Sequence, residues 1–232
     1  MKFIIKFGGS LLFNKNSDEF DISKMHELID IIVSSKNVLG MVCGGGKIAR
    51  KYIDIGRNMG LEEEKLDTLG IMVSRIHAQL FIYLMGKNAH PEPITTLEQA
   101  IKARLSKKIM VAGGLIAKQS TTTVAMQLCE VLRCNLIILT DVDGIYDSDP
   151  KLNPGAHKFD LISSAALEEL LISRTDQEQI AGKYQIFDLL SLDILKRSQV
   201  EVRVIDGSDL KNLQRLLSEN FRTSQIGTII KA

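Results

Sequence analysis

The sequence predicts an α/β fold built from βα units around a mainly parallel sheet, and three observations carry that prediction. Short runs of β-branched and aliphatic residues alternate with longer segments of helical period. The short runs are apolar nearly throughout, as strands covered on both faces must be. Three of them run into glycine clusters, the turn by which a parallel strand commonly hands the chain on.

In chain order the predicted strands are Lys2 to Phe7, Asn37 to Cys43, Ile109 to Ala112, Asn135 to Leu139 and Glu201 to Ile205. The intervals carry apolar residues three and four apart, which predicts helices over Asp21 to Ser35, Gly46 to Met59, Glu62 to Leu84, Thr96 to Ala103 and Thr121 to Leu132. Three more follow at Ser164 to Ile172, Phe187 to Arg197 and Asp209 to Glu219. Several begin at Asp, Ser or Thr, whose side-chain oxygens accept from the unpaired first-turn amides. Asp147 to Asp160, rich in Pro, Gly and Asp, reads as a loop or irregular hairpin. No stretch resembles an interdomain linker, so one domain over 1–232 is expected.

Bulk properties narrow the function. With 45% hydrophobic residues, 25% charged and a net charge of +1, the chain has no global bias towards nucleic acid or anionic membrane, so anion binding must be local. The apolar stretch before Gly8 is too short for a signal-peptide core, and no later run is expected to span a membrane; a cytoplasmic protein is expected. Cys43, Cys129 and Cys134 lack metal-ligand spacing and sit among apolar residues, as packing thiols do.

The glycine clusters are Gly8-Gly9-Ser10, Gly44-Gly45-Gly46 and Gly113-Gly114. Glycine admits an anion close to backbone amides, and a following helix adds its positive end, so three such loops can converge on one phosphate-binding crevice. Glycine also simply ends strands. The third loop, with its Ser-Thr run, is either a ligand wall or a polar turn before a helix. No Walker loop or dinucleotide fingerprint is present, since Ile48 stands where the former needs a hydroxyl. Lys6, in an apolar strand one residue before its own loop, is costly to bury without a counter-charge, so it is expected to emerge at the strand end to meet polyphosphate or solvent. Arg50, one turn past Gly46, either grips phosphate or lies solvated on the helix. The acidic loop after Leu139 carries Asp141, Asp143, Asp147 and Asp149 around Gly144 and Tyr146; such carboxylates hold Mg²⁺, orient a lysine, or form a surface turn.

In order, "KFGGS", "VCGGGKIARKYI", "LDTLGIMVSRIHAQL", "AGGLIAKQSTTTVA", "LTDVDGIYDSDPK" and "AGKYQIFDLLSLDILKRS" resemble the amino acid kinase family, and within it the archaeal-type UMP kinases. The resemblance covers nearly the whole chain. It implies a three-layer α/β/α sandwich, Mg²⁺-dependent transfer of the ATP γ-phosphoryl group to UMP, and a homo-oligomer, usually a hexamer. It also implies ATP contacts for Gly9, Ser10, Gly46 and Arg50 at the phosphates and for Thr140, Asp141, Tyr146 and Asp149 around adenosine. UMP contacts fall to Gly45, Asp67, Leu115, Ile116, Ala117, Lys118, Gln119, Ser120 and Thr121. Lys6, Asp143 and Asp188 fall at the reaction centre, with Lys6 stabilising the transferred group and Asp143 positioning lysine or metal. An ionised phosphate needs no general base, so no histidine is assigned a catalytic role.

Three positions depart from the resemblance: Lys118 replaces a usual glycine, Thr122 a frequent aspartate, and Leu189 a usual proline. Two alternatives follow. One is a kinase of another small phosphate or carboxylate, of the isopentenyl phosphate or acetylglutamate kinase kind, where histidine typically stands at the place of Cys43. The other is a nucleotide-binding regulator without catalysis, against which Lys6, Asp143 and Asp188 argue.

Overall fold

The computed structural model describes residues 1–14, 17, 19–150, 152–172, 186–218 and 221–232. In chain order the strands are β1 (Phe3–Phe7), β2 (Val38–Cys43), β3 (Met110–Ala112), β4 (Asn135–Thr140), β5 (Ile145–Tyr146), β6 (Lys158–Phe159), β7 (Leu161–Ser163), β8 (Val202–Asp206) and β9 (Thr228–Lys231). The helices are α1 (Ile22–Ser34), α2 (Gly46–Asn58), α3 (Glu63–Met85), α4 (Leu97–Ala103), α5 (Thr121–Leu132), α6 (Ser164–Ile172), α7 (Leu189–Arg197) and α8 (Lys211–Ser218). Seven strands form one sheet in the order β3-β2-β1-β4-β8-β9-β7, parallel except where β9 runs antiparallel to β8.

Alternation along β1 sorts the core into two layers, because successive side chains leave opposite faces of a strand. Phe3, Ile5 and Phe7 join α1, α3 and α8 residues such as Leu28, Phe81 and Leu213 on one side. Ile4 joins α5 and α7 residues such as Val124, Leu128 and Leu192 on the other. All three cysteines are buried in these layers. Lys6 alternates onto the Ile4 side, opposite Val42 and Ile138 of the flanking strands.

Several expectations change. The first glycine loop leads into a 3₁₀ turn, Gly9–Leu12, before α1, so only the second and third loops feed α-helices. Strands β7 and β9, of three and four residues, were too short to stand out from their surroundings. Within the Asp147 to Asp160 segment, β6 pairs antiparallel with β5 just before it, so the segment is part of an irregular hairpin. Helix α7 starts after its cap, Asp188, and the Glu219 end of the last predicted helix lies outside the described residues. Against expectation, Glu63–Asn88 is long and apolar enough to cross a membrane. In the fold, that apolarity is divided between the buried Leu66, Val73, Phe81 and Met85 and the exposed Met72, Ile76, Tyr83 and Leu84.

Candidate active site

Parallel pairing brings the carboxyl ends of β1, β2, β3 and β4 to one edge of the sheet, and the glycine loops after β1, β2 and β3 lie at that edge. Steric contact explains the glycines. A Cβ on Gly9 would stand 2.3 Å from the Gly46 nitrogen, and one on Gly46 would stand 2.2 Å from the Gly9 oxygen, so the first two loops interlock backbone to backbone. Gly46 also has φ of 60°, a conformation that disfavours side chains. Gly113 and Gly114 press against Ser74 and Ile71 of α3 instead. Arg50, one turn into α2 and half-buried, makes no hydrogen bond or ion pair among the described residues. Gly45 precedes α2, and Ser10 lies partly exposed in the 3₁₀ turn.

One cleft, of about 110 Å³, opens between α3 and the third loop, lined by Asp67, Gly70, Ile71, Ile116, Ala117, Lys118, Gln119 and Thr121 among others. The Asp67 carboxylate accepts the Lys118 amide at 2.9 Å, which ties the loop to the helix. Lys118 has φ of 64° with its side chain exposed, so the position the family fills with glycine is a left-handed one. Leu115 is buried and outside the lining. The Ser120 hydroxyl caps α5, accepting the Thr123 amide at 3.1 Å, so it is occupied by the fold.

A second cleft, of about 210 Å³, lies beside the acidic loop. Asp141, Tyr146 and Asp149 line it together with Leu167, Leu170, Leu171, Ile186 and Phe187, an apolar wall that sequence reasoning missed because it comes from distant segments. Thr140 lies outside it, buried and donating to Asp141 at 3.3 Å. The two aspartates of the loop face different lysines. Asp143 accepts Tyr146 Oη at 2.6 Å and Lys158 Nζ at 3.0 Å, and Lys158 was not anticipated. Asp141 instead supplies the negative charge felt by Lys6.

Lys6 does not emerge at the strand end. It is buried, and desolvation pulls its ammonium down to about 8 even though Asp141 opposes the shift. Strand β1 therefore carries this amine into the interior, two residues before Gly8.

Asp188 is a junction. Its carboxylate accepts Thr123 Oγ1 at 2.6 and 2.8 Å, the Ser120 amide at 3.3 Å and the Ser191 amide at 2.7 Å, the last closing a capping box on α7. Burial pushes its pKa up, but the hydrogen bonds from Ser120, Thr123 and Ser191 together outweigh burial and hold it below the usual carboxylate range. Asp188 thus links Phe187, its neighbour in the second cleft, to Ser120, which lies outside the first cleft but next to Thr121 of its lining. The 181–185 part of the last family-like motif, and Lys151, lie outside the described residues.

Helix α3 carries further side chains whose partners no local pattern predicts. Ser74 Oγ accepts the Gly114 amide at 2.8 Å, and Arg75 donates to the Gly114 and Leu115 carbonyls at 2.9 and 3.0 Å. His77 is buried with Nδ1 2.9 Å from the Gly44 carbonyl; burial lowers its pKa, so the ring is neutral and Nδ1–H donates. Among the described residues no three His, Cys, Asp or Glu gather to hold a metal.

A family model described as the amino acid kinase family matches residues 1–206. A uridylate kinase of Methanococcoides burtonii is 37% identical over 228 residues, covering 97% of this chain and 95% of that protein. One of Thermofilum pendens is 39% identical over 221 residues, covering 92% of each. The crystal structure of uridylate kinase from Archaeoglobus fulgidus superposes with a TM-score of 0.81 at 30% identity, covering 99% of this chain and all of that one. With the interlocked glycine loops and the two clefts in place along the match, the chain belongs to the amino acid kinase family.

Proposed function

We propose that the chain is a uridylate kinase, transferring the γ-phosphoryl group of ATP to UMP to give UDP and ADP. The observation that carries this reading is the cleft between α3 and the third loop, where Asp67 faces Ile116 to Thr121. A carboxylate there accepts ribose hydroxyls, and loop amides serve a base or phosphate. The uridylate kinases similar over nearly the full chain support the same substrate. ATP would occupy the second cleft, its adenosine against Tyr146, Asp149 and the apolar wall, its phosphates at Gly9, Ser10, Gly46 and Arg50.

Catalysis is then electrostatic. The UMP phosphate oxygen attacks the γ-phosphorus in line while the bond to the β-phosphate oxygen breaks. Lys6 neutralises charge on the transferred group, with Asp141 rather than Asp143 orienting it. Asp188 holds the Ser120 wall in place. Mg²⁺ carried on the triphosphate would screen its charge.

A cytoplasmic homo-oligomer, a hexamer on the family pattern, belongs to the same reading. The exposed apolar side chains of α2 and α3, Ile55, Met72, Ile76 and Tyr83, supply a surface for self-association. A coupled assay with ATP, Mg²⁺ and, separately, UMP, CMP and isopentenyl phosphate tests the substrate. Turnover of UMP is expected; turnover of isopentenyl phosphate alone would overturn the reading.

A further inference from the structure

Helix α3 meets the third glycine loop along one face, through Asp67, Ile71, Ser74 and Arg75, spaced so that they lie on one side of a helix. Asp67, Ile71 and Ser74 line the cleft, whereas Arg75 does not. The guanidinium comes from behind the loop. Nε donates to the Gly114 carbonyl at 2.9 Å and Nη2 to the Leu115 carbonyl at 3.0 Å. Arg75 forms no ion pair among the described residues, so its rigid fork is directed to these two consecutive carbonyls.

Two held carbonyls fix two peptide planes. The chain has no cis bonds among the described residues, and in a trans peptide the N–H points opposite to the C=O. With the Gly114 and Leu115 oxygens drawn towards Arg75, the amides of Leu115 and Ile116 point away from it. Neither amide has an acceptor among the described residues, although Leu115 is buried. A buried amide left without an acceptor is destabilising, and neighbouring donors aimed the same way suit an oxygen-rich ligand group.

We infer that Arg75 is a positioning residue for the phosphoryl acceptor: by fixing both peptide planes it presents the Ile116 amide, on the cleft wall, to acceptor oxygens while touching no substrate itself. This rests on the acceptor occupying the α3 cleft. Ser74 fixes the preceding amide, Gly114 N–H, so the loop is held on both sides of the same peptide run.

The full chain with Arg75→Ala and Arg75→Lys tests it. Arg75→Ala should raise KM for UMP about tenfold with KM for ATP and Tm close to wild type, a loss confined to acceptor binding. Lysine, which cannot fork onto two carbonyls, should recover only part of it. Hydrogen exchange adds a second readout: UMP should slow exchange at Ile116 in the wild type and not in Arg75→Ala. An unchanged KM for UMP, or equal protection in both proteins, would overturn the inference. If the wild type turns over no UMP, the substrate reading fails instead, and Gly114 exchange decides this one without nucleotide: faster in Arg75→Ala supports it, unchanged refutes it.

Discussion

Lys6 lies inside an apolar strand with its proton held near pH 8, and Asp141 is the charge that opposes further loss. In the free enzyme, kcat/KM should therefore fall on the alkaline side near pH 8 as Lys6 deprotonates. Bound phosphates stabilise the ammonium, so the limb in kcat should lie higher. Lys6→Arg should move the alkaline limb out of range, and Lys6→Ala should lower kcat far more than it raises either KM; a limb unmoved in Lys6→Arg would remove Lys6 from the chemistry. Because the native state binds this proton more weakly than the unfolded chain does, stability should rise between pH 8 and 10.5. Lys118 makes a backbone prediction. Its left-handed φ costs a side chain about 1 kcal/mol, partly offset by the entropy that glycine would lose on folding. Lys118→Gly should raise Tm by roughly 2 °C with UMP kinetics unchanged, measured by calorimetry and the coupled assay. A glycine-to-lysine departure was visible in the sequence; the φ that gives it meaning was not. Likewise Asp141 and Asp143 are two residues apart, and only the turn after β4 decides which faces Lys6.

Helices α3, α5 and α7 hold the site through their sides and ends. Asp67 ties α3 to Lys118, so Asp67→Ala should raise KM for UMP and leave KM for ATP little altered; the reverse split would show the two clefts exchanged. Asp188 caps α7 and bonds the start of α5. Asp188→Ala should cost about 1–2 kcal/mol in denaturant unfolding through the lost cap alone. Asn caps nearly as well, so Asp188→Asn should keep most of that stability and report the charge through kcat. Since hydrogen bonds hold the carboxyl below its ordinary range, its stabilising contribution is present above that range and lost as pH falls through the lowered value. The glycine loops and the long helix were legible as elements because periodicity and composition are local. Ser74, Arg75 and His77 were visible only as letters in a helix, since their partners at Gly114, Leu115 and Gly44 are more than thirty residues away.

The sheet order assembles these parts into one edge with two clefts, and it leaves the apolar outer face of α2 and α3 uncovered. Met72→Glu with Ile76→Lys should shift the protein towards monomer in light scattering while the far-ultraviolet spectrum stays native; an unchanged mass would place self-association elsewhere. Sequence by itself determined the α/β class, the core strands, the helix starts at Thr121 and near Thr96, and the family, because hydrophobic period, caps and glycine turns act over a few residues. Tertiary structure alone decided that Lys6 is buried, that Asp141 is its counter-charge, that Lys158 takes Asp143, and that glycines at 9 and 46 serve each other's backbones. Those are contacts between segments distant in the chain, and their energies depend on burial and separation in space, which no local pattern encodes.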